Sequence, residues 1–133
     1  MEPFAGGCLC GTVRYQAHSP LYPATLCHCT SCRRAAGAHA VGWFTVAAEN
    51  FSYLSGAPAL CRSSPGVRRE FCARCGTPIT YTCDPRPREV DITLGSLDDP
   101  GRVIPADHIW MADAPGWDRP ADGLPQYPGR RGA

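Results

Sequence analysis

Apolar and polar residues alternate along this chain in short runs that break every few positions. Thr12-Val13-Arg14-Tyr15 has the period of two that buries one face of a strand. His39-Ala40-Val41-Gly42-Trp43-Phe44-Thr45-Val46 is a mixed run rich in β-favouring residues. Phe51-Ser52-Tyr53-Leu54 follows, closed by Ser55-Gly56. Arg68-Arg69-Glu70-Phe71, Ile79-Thr80-Tyr81-Thr82 and Val90-Asp91-Ile92-Thr93-Leu94 continue the pattern. Strands this short and this regularly spaced predict an all-β domain. No long stretch keeps a helical period. The one helix expected is a turn or two beginning after Thr30 or Ser31, running through Arg33-Arg34-Ala35-Ala36 and ended by Gly37.

Beyond Pro100 the pattern fails, because Pro105, Pro115, Pro120, Pro125 and Pro128 each remove a ladder donor. Ile109, Trp110, Trp117, Leu124 and Tyr127 are too apolar for a free tail, so an irregular segment packed over the sheet is expected. With no repeat or linker, residues 1–133 form one domain, with a tail from about residue 129.

Composition narrows the chemistry. Apolar residues make up 44%, which excludes compositional disorder. Gly and Pro number 14 each, and a core so interrupted needs a staple. A formal net charge of +1 offers no electrostatic argument for nucleic acid or a membrane surface as partner. No apolar run approaches the roughly 20 residues that span a bilayer. Met1-Glu2-Pro3-Phe4 lacks a basic leader and an apolar run, so a cytoplasmic location is expected. Nine cysteines in a reducing compartment point to metal rather than to disulfides.

Seven of those cysteines fall into Cys8-Leu9-Cys10-Gly11, Cys27-His28-Cys29-Thr30-Ser31-Cys32 and Cys72-Ala73-Arg74-Cys75-Gly76, while Cys61 and Cys83 stand alone. The C-x-x-C-G form of Cys72 and Cys75 is that of a zinc knuckle, which aims two sulfurs at one ion about 2.3 Å away. A tetrahedral structural site needs four ligands, and Cys8 and Cys10, also followed by Gly, are the natural complement. A redox pair would open a helix after a strand, and Gly76-Thr77-Pro78 does not start one. Buried free thiols are the bland alternative for Cys8 and Cys10.

Cys27, Cys29 and Cys32 then lack a fourth cysteine nearby. Three protein ligands and an exchangeable position are the pattern of a catalytic zinc, where water or a substrate thiol can bind. The alternatives are a second structural site completed by His28, His39, Cys61 or Cys83, and a partition that moves Cys8 or Cys10 into this site. His28, between two ligands, is expected to point away from the metal. Arg33 and Arg34 follow the third thiol and either grip a substrate carboxylate or sit as surface cations. Arg74 is read as offsetting the charge of the four-thiolate site.

Taken together, Gly7–Tyr15, Cys27–Arg34, Gly37-Ala38 and Phe71–Ile79 resemble the glutathione-dependent formaldehyde-activating enzyme family, to which vertebrate centromere protein V also belongs. Leu94-Gly95-Ser96-Leu97-Asp98, Asp107-His108-Ile109-Trp110, Trp117 and Asp122-Gly123-Leu124-Pro125 extend the likeness from about residue 5 to about 128. The resemblance implies several coiled antiparallel sheets held by zinc. It implies a structural zinc on Cys8, Cys10, Cys72 and Cys75, and a catalytic zinc on Cys27, Cys29 and Cys32. In the family's founding activity glutathione adds to formaldehyde, formally a carbon–sulfur lyase run in reverse. Cys29, the middle of the triplet, is by similarity the ligand able to leave zinc when glutathione arrives.

The leading reading is therefore an enzyme that adds a small-molecule thiol to formaldehyde or another small aldehyde, with His39, His108 or Asp98 as candidates to move protons. The alternatives are a non-catalytic zinc-stabilised binding module and a redox or metal sensor.

Overall fold

A computed structural model describes residues 2–132, so the outermost residues of the expected domain lie outside the described residues. Ten strands and one helix follow in order. They are β1 (Phe4–Gly7), β2 (Arg14–Ala17), β3 (Tyr22–Cys27), α1 (Thr30–Ala36), β4 (Val41–Ala47), β5 (Phe51–Ser55), β6 (Ala59–Ser64), β7 (Val67–Phe71), β8 (Pro78–Cys83), β9 (Glu89–Thr93) and β10 (Pro105–Ile109). The all-β expectation and its single short helix stand.

Two sheets form, β1-β2-β5 and β10-β3-β4-β9-β8-β7-β6. Every pairing is antiparallel except β10 on β3. Alternation along β4 explains why the large sheet has two apolar faces. Phe44 and Val46 join Tyr15, Ile79 and Ile92 in the main core against the small sheet. Trp43 faces the other way and packs in a second cluster with Cys27, Cys32 and Val41. Burying Phe44 completely contributes about 2–3 kcal/mol. The second cluster is small and built around thiols, so its packing alone is a weak anchor.

The segment after Pro100 differs from its expectation in one respect: it contains β10, with Pro105 at the strand's first position, where a missing donor costs no ladder bond. Residues 125–129 run along the free edge of β10. His108 N–H donates to Pro125 O at 2.9 Å, Tyr127 N–H to His108 O at 2.9 Å and Trp110 N–H to Gly129 O at 2.9 Å. That covers an edge that would otherwise invite pairing.

The expected tail from about residue 129 folds back. Asp107 is buried and needs a cation. Arg131 supplies it, donating from Nε and Nη2 to the carboxylate, and Thr25 Oγ1 adds a bond at 2.6 Å. Burial pushes the Asp107 pKa up, but the bonds from Arg131 and Thr25 outweigh it and hold the carboxyl below its ordinary 3.8. A carboxyl held low by the fold stabilises above its ordinary pKa, and that contribution is lost as pH falls through the folded value. The clasp is thus expected to loosen below about pH 4. Hydrogen exchange should show protection falling at residues 127–131 while β4 stays protected.

Candidate metal centres

The first thiol group joins distant parts of the chain. The turn between β1 and β2 carries Cys8 and Cys10, and the turn between β7 and β8 carries Cys72 and Cys75. Their four sulfurs lie within 4.8 Å of one another. Each turn is closed by a backbone bond, Cys8 N–H to Val13 O at 3.0 Å in one and Cys72 N–H to Thr77 O at 3.0 Å in the other. Gly76 has φ +83°, the left-handed conformation that the knuckle requires. Backbone N–H groups aim at sulfur, from Val13 to Cys8 at 3.2 Å and from Arg74 and Cys75 to Cys72 at 3.4 Å each. Leu9 N–H donates to Thr77 Oγ1 at 3.0 Å and ties the two turns together. The Thr77 hydroxyl and N–H lower the Cys75 pKa to about 5. Converging sulfurs with N–H donors behind them suit thiolates on one soft cation.

The second group, Cys27, Cys29 and Cys32, also has its sulfurs within 4.8 Å of one another. Cys27 ends β3, Cys29 is the N-cap of α1, and Cys32 lies in its first turn. The helix is positioned at both ends. Cys29 Sγ accepts from Cys32 N–H at 3.2 Å, and Gly37 at φ +62° closes the C-terminus. Hydrogen bonds from the Cys27 and Cys32 thiols lower the Cys29 pKa, and the Cys32 N–H and the nearby Arg69 charge add to this. Its hydrogen bonds to Cys29 and Cys32, with burial, raise that of Cys27. Negative charge therefore settles first on Cys29.

Among the described residues no other His, Cys, Asp or Glu joins this trio. His28 points away from it, as the sequence suggested, and His39 stacks on Trp117 with centroids 6.0 Å apart. Cys61 is exposed on β6, and Cys83 is buried at the end of β8.

The trio lines a cavity of about 560 Å³ walled by Trp43, Tyr81 and Trp110. Trp110 is held at φ +59°, a strained conformation for a bulky residue, by its bond to Gly129 O. Arg69, Arg86, Arg130 and Arg131 share this wall. Arg69 reaches Cys32 Sγ with Nη1 and Nη2 at 3.9 and 3.8 Å, lies 4.9 Å over the Tyr81 ring, and donates from Nε to Ser63 Oγ at 3.2 Å. Arg33 and Arg34 do not line it. Arg34 borders a second cavity across α1, and Arg33 Nε is buried without a partner. Asp98 is paired with Arg14 at 2.9 Å, and neither it, His39 nor His108 borders the first cavity.

The description of the glutathione-dependent formaldehyde-activating enzyme family matches residues 3–113. The chain belongs to that family. Its fold is also shared with a Rhodobacter sphaeroides protein of known crystal structure, at a TM-score of 0.62 and 21% identity over 92% of this chain and 98% of that one. Both thiol groups of this family member could hold a metal ion, and all-sulfur donor sets are compatible with zinc. No helix among the described residues is long and apolar enough to cross a membrane.

A polar chain, buried at its two histidines, holds His28 between the first two thiols of the trio. His28 Nδ1 is 2.7 Å from Asp118 Oδ2, His28 Nε2 is 2.9 Å from His108 Nδ1, and His108 Nε2 is 2.8 Å from Asp122 Oδ2. An ionised carboxylate only accepts, so in each outer pair the ring nitrogen is the donor. The His108 bond holds the Asp122 carboxyl below its ordinary range. His108→Leu leaves the buried His28 Nε2 unpaired. It is expected to cost about 2–3 kcal/mol, roughly 10 °C in Tm by calorimetry. It should also weaken metal at the trio about tenfold, as loss of a ligand-orienting contact does.

Sequence reasoning missed Arg69 and the C-terminal arginines. Arg69 shares strand parity with Val67 and Phe71, which faintly marked it as facing inward.

Proposed function

We propose that this chain is a zinc-dependent enzyme of carbon–sulfur lyase type, working in the direction of addition. It joins a glutathione-type thiol to formaldehyde or another small aldehyde. The observation that carries this reading is the trio of sulfurs set in the wall of a cavity of about 560 Å³ in a chain of the formaldehyde-activating family. Cys8, Cys10, Cys72 and Cys75 would hold a structural zinc. Cys27, Cys29 and Cys32 would hold the catalytic one, with a position left for substrate. Zinc there would supply the positive charge that makes a thiol ionise near neutral pH.

In the addition the thiol sulfur bonds to the carbonyl carbon, the carbonyl π pair moves to oxygen, and that oxygen takes the proton the thiol released. The chain's own residues orient the partners and exclude water. Trp43, Tyr81 and Trp110 form the apolar wall. Arg86 is engaged by Glu89 and Asp91, Arg131 by Asp107, and Arg69 lies against Cys32 Sγ, which leaves Arg130 to attract the carboxylates of the thiol. Arg34, with Arg33 beside it, is proposed to hold a substrate carboxylate from across α1. Asp91 is tied to Thr45 at 2.6 Å and to Arg86, so the exposed Asp113, also on the wall, is the better candidate to relay the proton. A non-catalytic zinc module would need no cavity at the trio. The cysteine-rich composition suits a reducing cytoplasm.

The test is proton exchange NMR on formaldehyde and glutathione. Zinc-loaded protein at micromolar concentration is expected to accelerate adduct exchange well above the buffer rate. An unchanged rate would remove the formaldehyde form of this reading.

A further inference from the structure

Ser31, Cys32, Trp43 and Arg69 border two cavities at once. The second, about 610 Å³, is bounded mainly by Ala35, Ala36, Val41, Phe71 and Pro78, with Arg34 as the cation it does not share with the first. Its carboxylate, Glu70, is already spent, accepting from Tyr53 at 2.9 Å and from Thr80 at 2.7 Å. The first cavity, with four arginines, suits a charged, carboxylate-bearing thiol, and the second suits an apolar body, with Arg34 left for a carboxylate that such a body carries. Formaldehyde, with two heavy atoms, fills roughly the space of one or two waters, about 30–60 Å³. A volume about tenfold larger, with Ala35, Ala36, Val41, Trp43, Phe71 and Pro78 in its wall, is of the size that seats an organic side chain.

We propose that this second cavity binds the apolar body of the carbonyl substrate, so that the acceptor is an aldehyde bearing an aliphatic or aromatic group. The proposal rests on the trio being a thiol–aldehyde site. The thiol then comes from the charged side and the aldehyde from the apolar side, and they meet at Cys32, Trp43 and Arg69. Arg69 is placed to donate to the oxygen on which charge develops as the carbon–sulfur bond forms. That oxygen ends as the hydroxyl of the hemithioacetal, carrying the proton released by the thiol. Each buried methylene should tighten binding about fourfold.

The experiment compares zinc-loaded wild type with Ala36→Phe and Ala35→Phe, which fill the cavity from exposed helix positions and replace no thiol. Benzyl alcohol serves as the unreactive probe, followed by NMR shifts of the Trp43 indole and the Ala35 and Ala36 methyls. Turnover is measured with phenylacetaldehyde and with formaldehyde. In wild type the probe should shift those signals, and in either variant it should bind at least tenfold more weakly. The preference for phenylacetaldehyde over formaldehyde should fall by a similar factor. Formaldehyde turnover with no probe shift, or an unchanged preference in both folded variants, would overturn the cavity assignment alone. Probe binding with no turnover of either aldehyde would overturn the thiol-addition reading beneath it, and the proposal with it.

Discussion

Replacing Cys72 by serine is expected to unfold the protein rather than merely weaken it. Its sulfur is buried, accepts two backbone N–H groups, and sits with sulfurs from a turn some sixty residues earlier. Among the described residues the small sheet meets the large one through a single modest core, and this group ties the two at one end. Structural zinc on such ligands contributes about 10–16 kcal/mol to folding in small zinc domains. Whole domains are stable by only about 5–15 kcal/mol. Losing one ligand therefore consumes most of the margin. Far-UV circular dichroism should show no cooperative melt for Cys72→Ser, and strong chelation should do the same to wild type. A variant that melts like wild type would show that this group does not hold the fold.

Cys29→Ser should do the opposite, leaving the fold and removing the activity. Cys29 caps α1 through its sulfur, and serine is among the best N-caps, so the Cys32 N–H keeps its acceptor. Serine does not ionise near neutral pH, so the trio loses the donor on which negative charge settles first. The expected result is a Tm within about 5 °C of wild type, loss of one zinc per chain, and at least a hundredfold drop in adduct exchange. Unchanged zinc content with unchanged exchange would take Cys29 out of the site. An unfolded variant would mean that both thiol groups are structural.

Much of this was readable from residues alone. Glycine after each knuckle, the spacing of the triplet, and Gly37 as helix stop are local signals, and each carries a local geometry. Strands such as β4 and β9 showed because one of their faces is a core. Missed strands lacked that mark. In β3 the Tyr22-Pro23 start coincides with a register shift against β4. The strand β6 is an edge with exposed side chains. In β10 the strand begins on a proline and pairs in parallel with a strand some eighty residues earlier.

The cavity wall was less legible than the thiol groups. Arg33 and Arg34 follow Cys32 in sequence, yet α1 turns them from the first cavity. Arg69 and Arg131 arrive from β7 and the chain end through pairings that no short motif encodes. The His28–His108 chain was equally hidden, since it joins residues eighty positions apart.

Cobalt(II) in place of zinc, read by visible absorption during a glutathione titration, tests the division into a closed and an open site most directly. The bands of one of the two ions should shift as thiol binds, those of the other should stay fixed, and in Cys29→Ser the responding signal should be absent. Bands from both ions that ignore millimolar glutathione would contradict the account, because each metal would then be sealed within the protein.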